Sequence, residues 1–235
     1  MAFCAVVVAA GKSARFGGTK KEYRILDGRP VLAHSLALFL DYPACLACAA
    51  VIPPGGEEEA RSILGGAFLA AYGERLLLVA GGEQRGHSVL AGLSALFERL
   101  SAGKGLSRAC PDPGELPVLV HDGARPWASE KLVARVLEGV LAYGGCVPAL
   151  PLSDTVKQVD DSGYVVAHPK RAGFRAVQTP QGFLLAKLLA AYRLDEALLD
   201  NATDDAELWS AAGYSLITVP GERENGKITF PEDLP

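Results

Sequence analysis

An α/β fold with a mainly parallel sheet and helices on both faces follows from three features of the sequence. Strand-like apolar runs alternate with helical patterns along the whole chain, which favours parallel strands joined by crossover helices. The first such run, Val6-Val7-Val8, has no polar alternation, the mark of a strand covered on both faces. At 235 residues, 49 % apolar and 21 % charged, the chain suits one large domain, 1–235, burying roughly 70 % of its unfolded surface.

The elements follow in order. Strands are predicted over Phe3–Ala9, Ala47–Ile52, Leu76–Val79, Val118–His121, Cys146–Leu150, Arg175–Gln178 and Leu216–Val219. Helices are predicted over Val31–Leu40, Glu57–Tyr72, His87–Leu100, Glu130–Tyr143, Leu184–Leu199 and Asp204–Ala212. Pro30 suits a first helical turn and Ser129 an N-cap. Ser101 to Pro117, with three Gly and three Pro, reads as an exposed loop. Between Thr155 and Ala167, alternating residues around Asp160-Asp-Ser-Gly163 predict a β-hairpin that either projects to meet another chain or lies on the surface. In such sheets ligands bind beyond the C-terminal strand ends, where the loops after Ala9, Val79 and His121 would gather.

Composition narrows the classes of function. A net charge of −4 leaves no basic field for nucleic acid or an anionic membrane, and positive charge concentrates at Lys12–Lys21. The longest apolar run, Ala44–Ile52, is far short of the ~20 residues that span a bilayer, and the N-terminus shows no signal-peptide pattern. Cys4, Cys45, Cys48, Cys110 and Cys146 sit in apolar contexts, as expected of reduced thiols in a cytoplasmic core; Cys45-x-x-Cys48 lacks the second pair a zinc site needs.

The chemistry-bearing residues cluster in the predicted loops. At Ala10-Gly11 small residues admit a ligand to the backbone, and Lys12, Arg15, Lys20 and Lys21 follow. Exposed N–H groups with fixed positive charge suit a polyphosphate; the alternative is a surface loop with solvated lysines. A P-loop would need glycine where Val6 stands, and the dinucleotide fingerprint would need it at Phe16. Gly81 to Ser88 joins a strand to a helix, and its glycines permit close approach to a flat base or sugar. Asp122, in His121-Asp-Gly-Ala-Arg-Pro126, ends a buried strand as a candidate Mg²⁺ ligand, or as the turn partner of Arg125. Thr203-Asp204-Asp205 reads first as a helix cap, and Lys227, taken alone, as a solvated surface residue.

Taken together, AAGKSARFGGTKKEY, GGEQRGHSVLAG, HDGARP, TPQGF and ENGKIT, in that order, make the chain resemble the 2-C-methyl-D-erythritol 4-phosphate cytidylyltransferases from Ala5 to about Leu234. The resemblance implies a Rossmann-like nucleotidyltransferase fold, CTP as nucleotide, methylerythritol phosphate as acceptor, a divalent cation such as Mg²⁺, and a homodimer interlocked by a projecting β-arm at 151–170. By motif it implies that Ala10 and Gly11 wrap CTP while Arg15, Lys21 and Lys227 meet phosphates. Gly82, Glu83, Arg85 and Ser88 resemble the cytidine pocket, Asp122 the metal-site aspartate, and Glu224 a further carboxylate near the metal. Thr155, Arg171, Thr179 and Thr203 match acceptor-binding positions, some reached from the partner's arm.

The chain departs from the family pattern in three places. Lys20-Lys21-Glu22 replaces Pro-Lys-Gln, so that Lys20 is expected to compete with Lys21; Gly226 replaces a bulky aliphatic before Lys227; and relatives continue past PEDL into a terminal helix. A pentitol-phosphate cytidylyltransferase, for ribitol 5-phosphate, and a non-catalytic nucleotide-binding protein on the same fold are the competing readings.

Overall fold

The computed structural model describes residues 1–11, 13, 16–17, 20–103 and 112–234. Its main sheet runs in the order β10 (Arg175–Val177), β7 (Gly145–Pro151), β11 (Gln181–Leu184), β6 (Pro117–Asp122), β1 (Phe3–Val8), β4 (Cys45–Ile52), β5 (Leu76–Ala80), and β12 (Ile217–Pro220) joins β7. β6, β1, β4 and β5 are mutually parallel, β12 runs parallel to β7, and β11 lies antiparallel between β6 and β7. The mainly parallel sheet is therefore as expected. The antiparallel exceptions are β10, which pairs with β7, and β11, which falls where the sequence reads as a loop and a helix start; its Gln-Gly-Phe-Leu is too short and too glycine-broken to show a period.

β1 explains the sheet's two-sided burial. Phe3, Ala5 and Val7 enter the core on one face, while Cys4 and Val6 enter the core on the other. The first face is covered by α1 (Val31–Leu40) and α5 (Glu130–Tyr143). The opposite face is covered by α4 (Arg85–Ser101) and α6 (Leu185–Tyr192), with Trp209 of α8 (Asp205–Ala211) wholly buried there. α4 approaches the sheet closely at Gly92, where a Cβ would stand 2.8 Å from both Val6 Cγ1 and Val51 Cγ2.

Two predicted helices are each broken in two. Glu57–Tyr72 divides into α2 (Glu57–Leu64) and α3 (Gly66–Tyr72) because Gly65 takes φ +80°, a conformation that glycine alone adopts cheaply. Leu184–Leu199 divides into α6 and α7 (Glu196–Asn201), since the Asp195 carboxylate accepts from the N–H groups of Ala197 and Leu198 and starts a new helix. Ser129 caps α5 as expected, accepting from Leu132 N at 3.1 Å. The hairpin at 155–167 is present but short, pairing β8 (Gln158–Val159) with β9 (Val165–Ala167). Two further strands that the sequence does not announce, β2 (Ile25–Leu26) and β3 (Arg29–Pro30), form a small hairpin leading into α1.

The parallel strands place three loops together at their C-terminal ends. Ala9 N still bonds to Val51 O (2.7 Å), Gly81 N to Ile52 O (2.7 Å) and Gly123 N to Val8 O (2.9 Å), so each loop leaves from its neighbour's last rung.

Candidate active site

These three loops enclose a cavity of about 340 Å³. Ala10 and Gly11 line one wall, Gly82, Glu83, Arg85 and Ser88 another, and Asp122, Lys21 and Lys227 its floor and far side. Ten of the residues expected at the site thus stand in one place or at its rim: those nine line it, and Thr179 sits directly behind Asp122, as its bonds below show. Arg15, like Lys12, lies outside the described residues.

The first loop is anchored from below. Phe16, in the position a dinucleotide fingerprint would give to glycine, is 7 % exposed and packs with Leu26, Val31, Ala124 and Ile228. The two adjacent lysines have separate tasks. Lys20 Nζ donates to the Gly11 carbonyl at 2.7 Å and ties the loop, while Lys21, lining the cavity, donates to the Ile228 carbonyl at 2.7 Å. Their ammonium groups thus bond to different carbonyls, one in the first loop and one near the end of the chain. Glu22 also lines the cavity, 4 % exposed, and accepts from Ser13 Oγ at 3.2 Å. Burial pushes its carboxyl above the ordinary value, against the pull of its backbone bond, Lys21, Ser13 and Lys20.

Asp122 stands at the end of β6 among cations. Lys227 Nζ is 2.8 Å and Arg125 Nε 3.5 Å from its Oδ2. Burial alone would raise this carboxyl, but Lys227, Arg85 and Arg125 outweigh it and hold Asp122 well below the usual carboxylate range. Lys227, exposed when read in isolation, is brought here by long-range stitching. Ile228 N bonds to Ala124 O (2.9 Å), Arg125 donates to Asn225 O (2.7 Å), and Asn225 Nδ2 donates to Thr179 O (2.8 Å). The glycine at 226 does not loosen it, since the segment lies against Trp127 and the ammonium is held by Asp122.

Behind Asp122 sits a pair that the sequence left unread. His121 is fully buried, with Nε2 3.1 Å from Arg125 O and Nδ1 3.0 Å from Thr179 Oγ1. A carbonyl can only accept, so Nε2 carries the proton and Nδ1 accepts from the Thr179 hydroxyl. Thr179 Oγ1 in turn accepts from Asp122 N at 3.0 Å. Burial lowers His121 to about 4, so the ring is neutral at pH 7. Thr179, 5 % exposed with its hydroxyl spent on both neighbours, supports the Asp122 backbone.

Arg85 makes a bidentate pair with Asp205, at 2.8 and 3.0 Å, and Asp205 is wholly buried. The three remaining acceptor candidates do not line the cavity. Thr203 is exposed and donates to Glu207 at 3.0 Å, and the cap of α8 is Asp204, which accepts from Glu207 N. Thr155 is exposed, and Arg171 is exposed and donates to the Ser153 carbonyl, both beside the 158–167 hairpin. Glu224 is exposed too and does not line the cavity.

Among the described residues no group of three or more His, Cys, Asp or Glu could hold a metal. The donor set fits one case: a hard cation taking the ionised carboxylate of Asp122 and completing its shell with substrate phosphates and water.

Comparison with known proteins then decides the kinship. A family model described as 2-C-methyl-D-erythritol 4-phosphate cytidylyltransferase matches residues 3–235. The chain belongs to this family. Among its relatives, the Streptomyces avermitilis 2-C-methyl-D-erythritol 4-phosphate cytidylyltransferase is 40 % identical over 238 residues, covering 98 % of this chain and 88 % of that one. A bifunctional IspD/IspF enzyme of Desulforudis audaxviator is 40 % identical over 231 residues, and the chain spans only 54 % of its length. The crystal structure of the Thermus thermophilus 2-C-methyl-D-erythritol 4-phosphate cytidylyltransferase superposes with a TM-score of 0.74 at 34 % identity, covering 99 % of this chain and 95 % of that one. The α/β nucleotidyltransferase fold of the cytidylyltransferase family is thus the fold of this chain.

Proposed function

We propose that the chain transfers the cytidylyl group of CTP to 2-C-methyl-D-erythritol 4-phosphate, releasing pyrophosphate and giving 4-diphosphocytidyl-2-C-methyl-D-erythritol for isoprenoid synthesis. One observation carries the reading: Lys21 and an ionised Asp122 paired with Lys227 line one cavity, walled by the Ala10-Gly11 loop and the Gly82–Ser88 turn.

Both reactants are anions, so their mutual repulsion is the first barrier. Lys21 and Lys227 offset that charge from fixed positions, one held by Ile228 O and the other by Asp122. An oxygen of the acceptor phosphate forms the new bond to the α-phosphorus. The bond from that phosphorus to the bridging oxygen breaks, and pyrophosphate leaves with the electron pair. The attacking oxygen is already ionised at neutral pH, so no side chain needs to take a proton; the neutral, buried His121 is accordingly placed behind Asp122 and not in the cavity. Magnesium held by Asp122 would supply further charge neutralisation on the phosphates. The protein's remaining contribution is alignment.

The proposal includes a homodimer. Tyr164, Val165, Val166 and Val159 on the arm are 74, 49, 57 and 55 % exposed, an apolar surface that a second copy would cover. Thr155 and Arg171, which do not line their own cavity, would then serve the partner's acceptor site. It also includes a cytoplasmic location, since the thiols of Cys45, Cys48 and Cys146 are free and buried, as suits a reducing compartment.

The test is pyrophosphate release from CTP and Mg²⁺ with methylerythritol phosphate, with ribitol 5-phosphate, and with neither. Release that requires methylerythritol phosphate supports the proposal. Release only with ribitol 5-phosphate, or none at all, refutes it in favour of the pentitol enzyme or a binding protein.

A further inference from the structure

Arg85 lines the cavity with a side chain 29 % exposed, yet its guanidinium is already committed. Both terminal nitrogens bond to Asp205, at 3.0 and 2.8 Å, and use both oxygens of that carboxylate. The hydroxyl of Tyr192, itself 1 % exposed, bonds to the same carboxylate. Asp205 is therefore shut off from solvent, with three bonds on its carboxylate. Burial would weaken the Arg85 charge, and the Asp205 carboxylate more than restores it.

The positions of the two partners give the pair its meaning. Arg85 is the first residue of α4, directly after the Gly82–Gln84 turn, and Asp205 is the first residue of α8. Gln84 supplies no side-chain cap to α4; from within the helix the turn is held by Ser88, whose hydroxyl accepts from Gly82 N at 3.2 Å and lies 3.1 Å from the Gln84 carbonyl. It is also fixed from across the fold. Gln181 of β11 donates to Asp204 at 2.9 Å and accepts from Ala206 N at 3.2 Å, which clamps the start of α8 to the sheet. Gly86 meets α7 so closely that a Cβ would stand 2.5 Å from Leu199 O. Besides Ser88, the turn is thus tied to α8 through one buried ion pair, and α8 is hung on β11.

We propose that Arg85 is a positioning residue: its pairing with Asp205 sets the Gly82–Gln84 backbone against the Ala10-Gly11 loop and so determines which base the pocket accepts. The proposal rests on the reading of this cavity as a CTP site. The turn's N–H and carbonyl groups meet a base through fixed hydrogen bonds, so a small tilt changes which donor and acceptor pattern fits. A direct phosphate contact by Arg85 would instead affect all nucleoside triphosphates alike.

The test compares kcat/KM for CTP and for UTP, with the acceptor saturating, in the wild-type chain, Arg85→Met, Asp205→Asn and the double variant. Each single variant should cut the preference for CTP about tenfold, and the double variant should cut it no further, because both remove one connection. Tyr192→Phe removes one bond to Asp205 without stranding a charge; a loss of about twofold in the same preference is expected, and it keeps the test open if Asp205→Asn does not fold. Asp205→Asn with unchanged preference beside a crippled Arg85→Met, or Tyr192→Phe with unchanged preference where Asp205→Asn does not fold, overturns the proposal and returns Arg85 to direct contact. A wild-type chain that turns over neither nucleotide would defeat the CTP reading itself.

Discussion

Lys227 Nζ and Asp122 Oδ2 lie 2.8 Å apart, joining a segment near the end of the chain to the tip of a central strand. The next residue, Ile228, bonds through its carbonyl to Lys21, so both lysines are set by one short stretch of backbone. The cationic side of the cavity is therefore a unit built from two distant parts of the sequence.

Lys227→Ala should lower kcat by about two orders of magnitude, the scale of losing one preorganised charge contact. Steady-state kinetics with both substrates saturating would show it. A change below about threefold would remove Lys227 from the proposed mechanism.

Glu22 places a buried carboxylate in an anion pocket. Its folded-state value is raised, so the cost to stability is absent below the ordinary value of 4.5 and grows as pH rises from there through the folded value. Glu22→Gln should stabilise the fold at about pH 8 and leave it nearly unchanged at about pH 4, as read by urea unfolding. The same variant should bind CTP more tightly at the higher pH, because it removes a negative charge facing the phosphates.

His121 behaves in the opposite sense. Its value falls from 6.5 to about 4 in the fold, so its contribution is complete above 6.5 and is lost as pH falls towards 4. Unfolding free energy should drop by a few kcal/mol over that window. Thr179→Val, which strands His121 Nδ1 and the Asp122 N–H, should cost about 1–3 kcal/mol at neutral pH. Thermal and denaturant unfolding at several pH values would measure both effects.

Two glycines should answer differently to alanine. At Gly92 the new methyl would meet Val6 and Val51 at 2.8 Å, so Gly92→Ala should cost about 1–3 kcal/mol by overpacking. At Gly226 the nearest atoms are Trp127 ring carbons at 3.8 Å, so Gly226→Ala should gain about 0.5 kcal/mol by restricting the unfolded chain. Urea unfolding of the two variants measures the difference, and equal effects at the two sites would contradict the packing described.

Most of the fold was legible because its signals are local. The unbroken valines of β1, Ser129 before α5 and the glycine-rich turn after β5 each announce themselves within a few residues. β11 escaped because four residues carry no period, and Asp205, Tyr192 and Gln181 escaped because their partners are distant in sequence. At the site, the loops at strand ends could be inferred from topology alone. Lys227 could not: nothing near it in sequence says that Asn225 and Ile228 will be tied to Thr179 and Ala124. Its place came from motif resemblance. The separate carbonyl partners of Lys20 and Lys21, and the bonding of the Thr179 hydroxyl to His121 and Asp122, are tertiary facts that neither spacing nor resemblance could supply.

The central claim is that fixed positive charge at the strand ends drives cytidylyl transfer. Turnover of Lys21→Ala, with CTP, Mg²⁺ and methylerythritol phosphate all saturating and folding verified by thermal unfolding, tests it most directly. A fall of about a hundredfold or more is the predicted result; a folded Lys21→Ala protein that turns over at the wild-type rate would contradict the account.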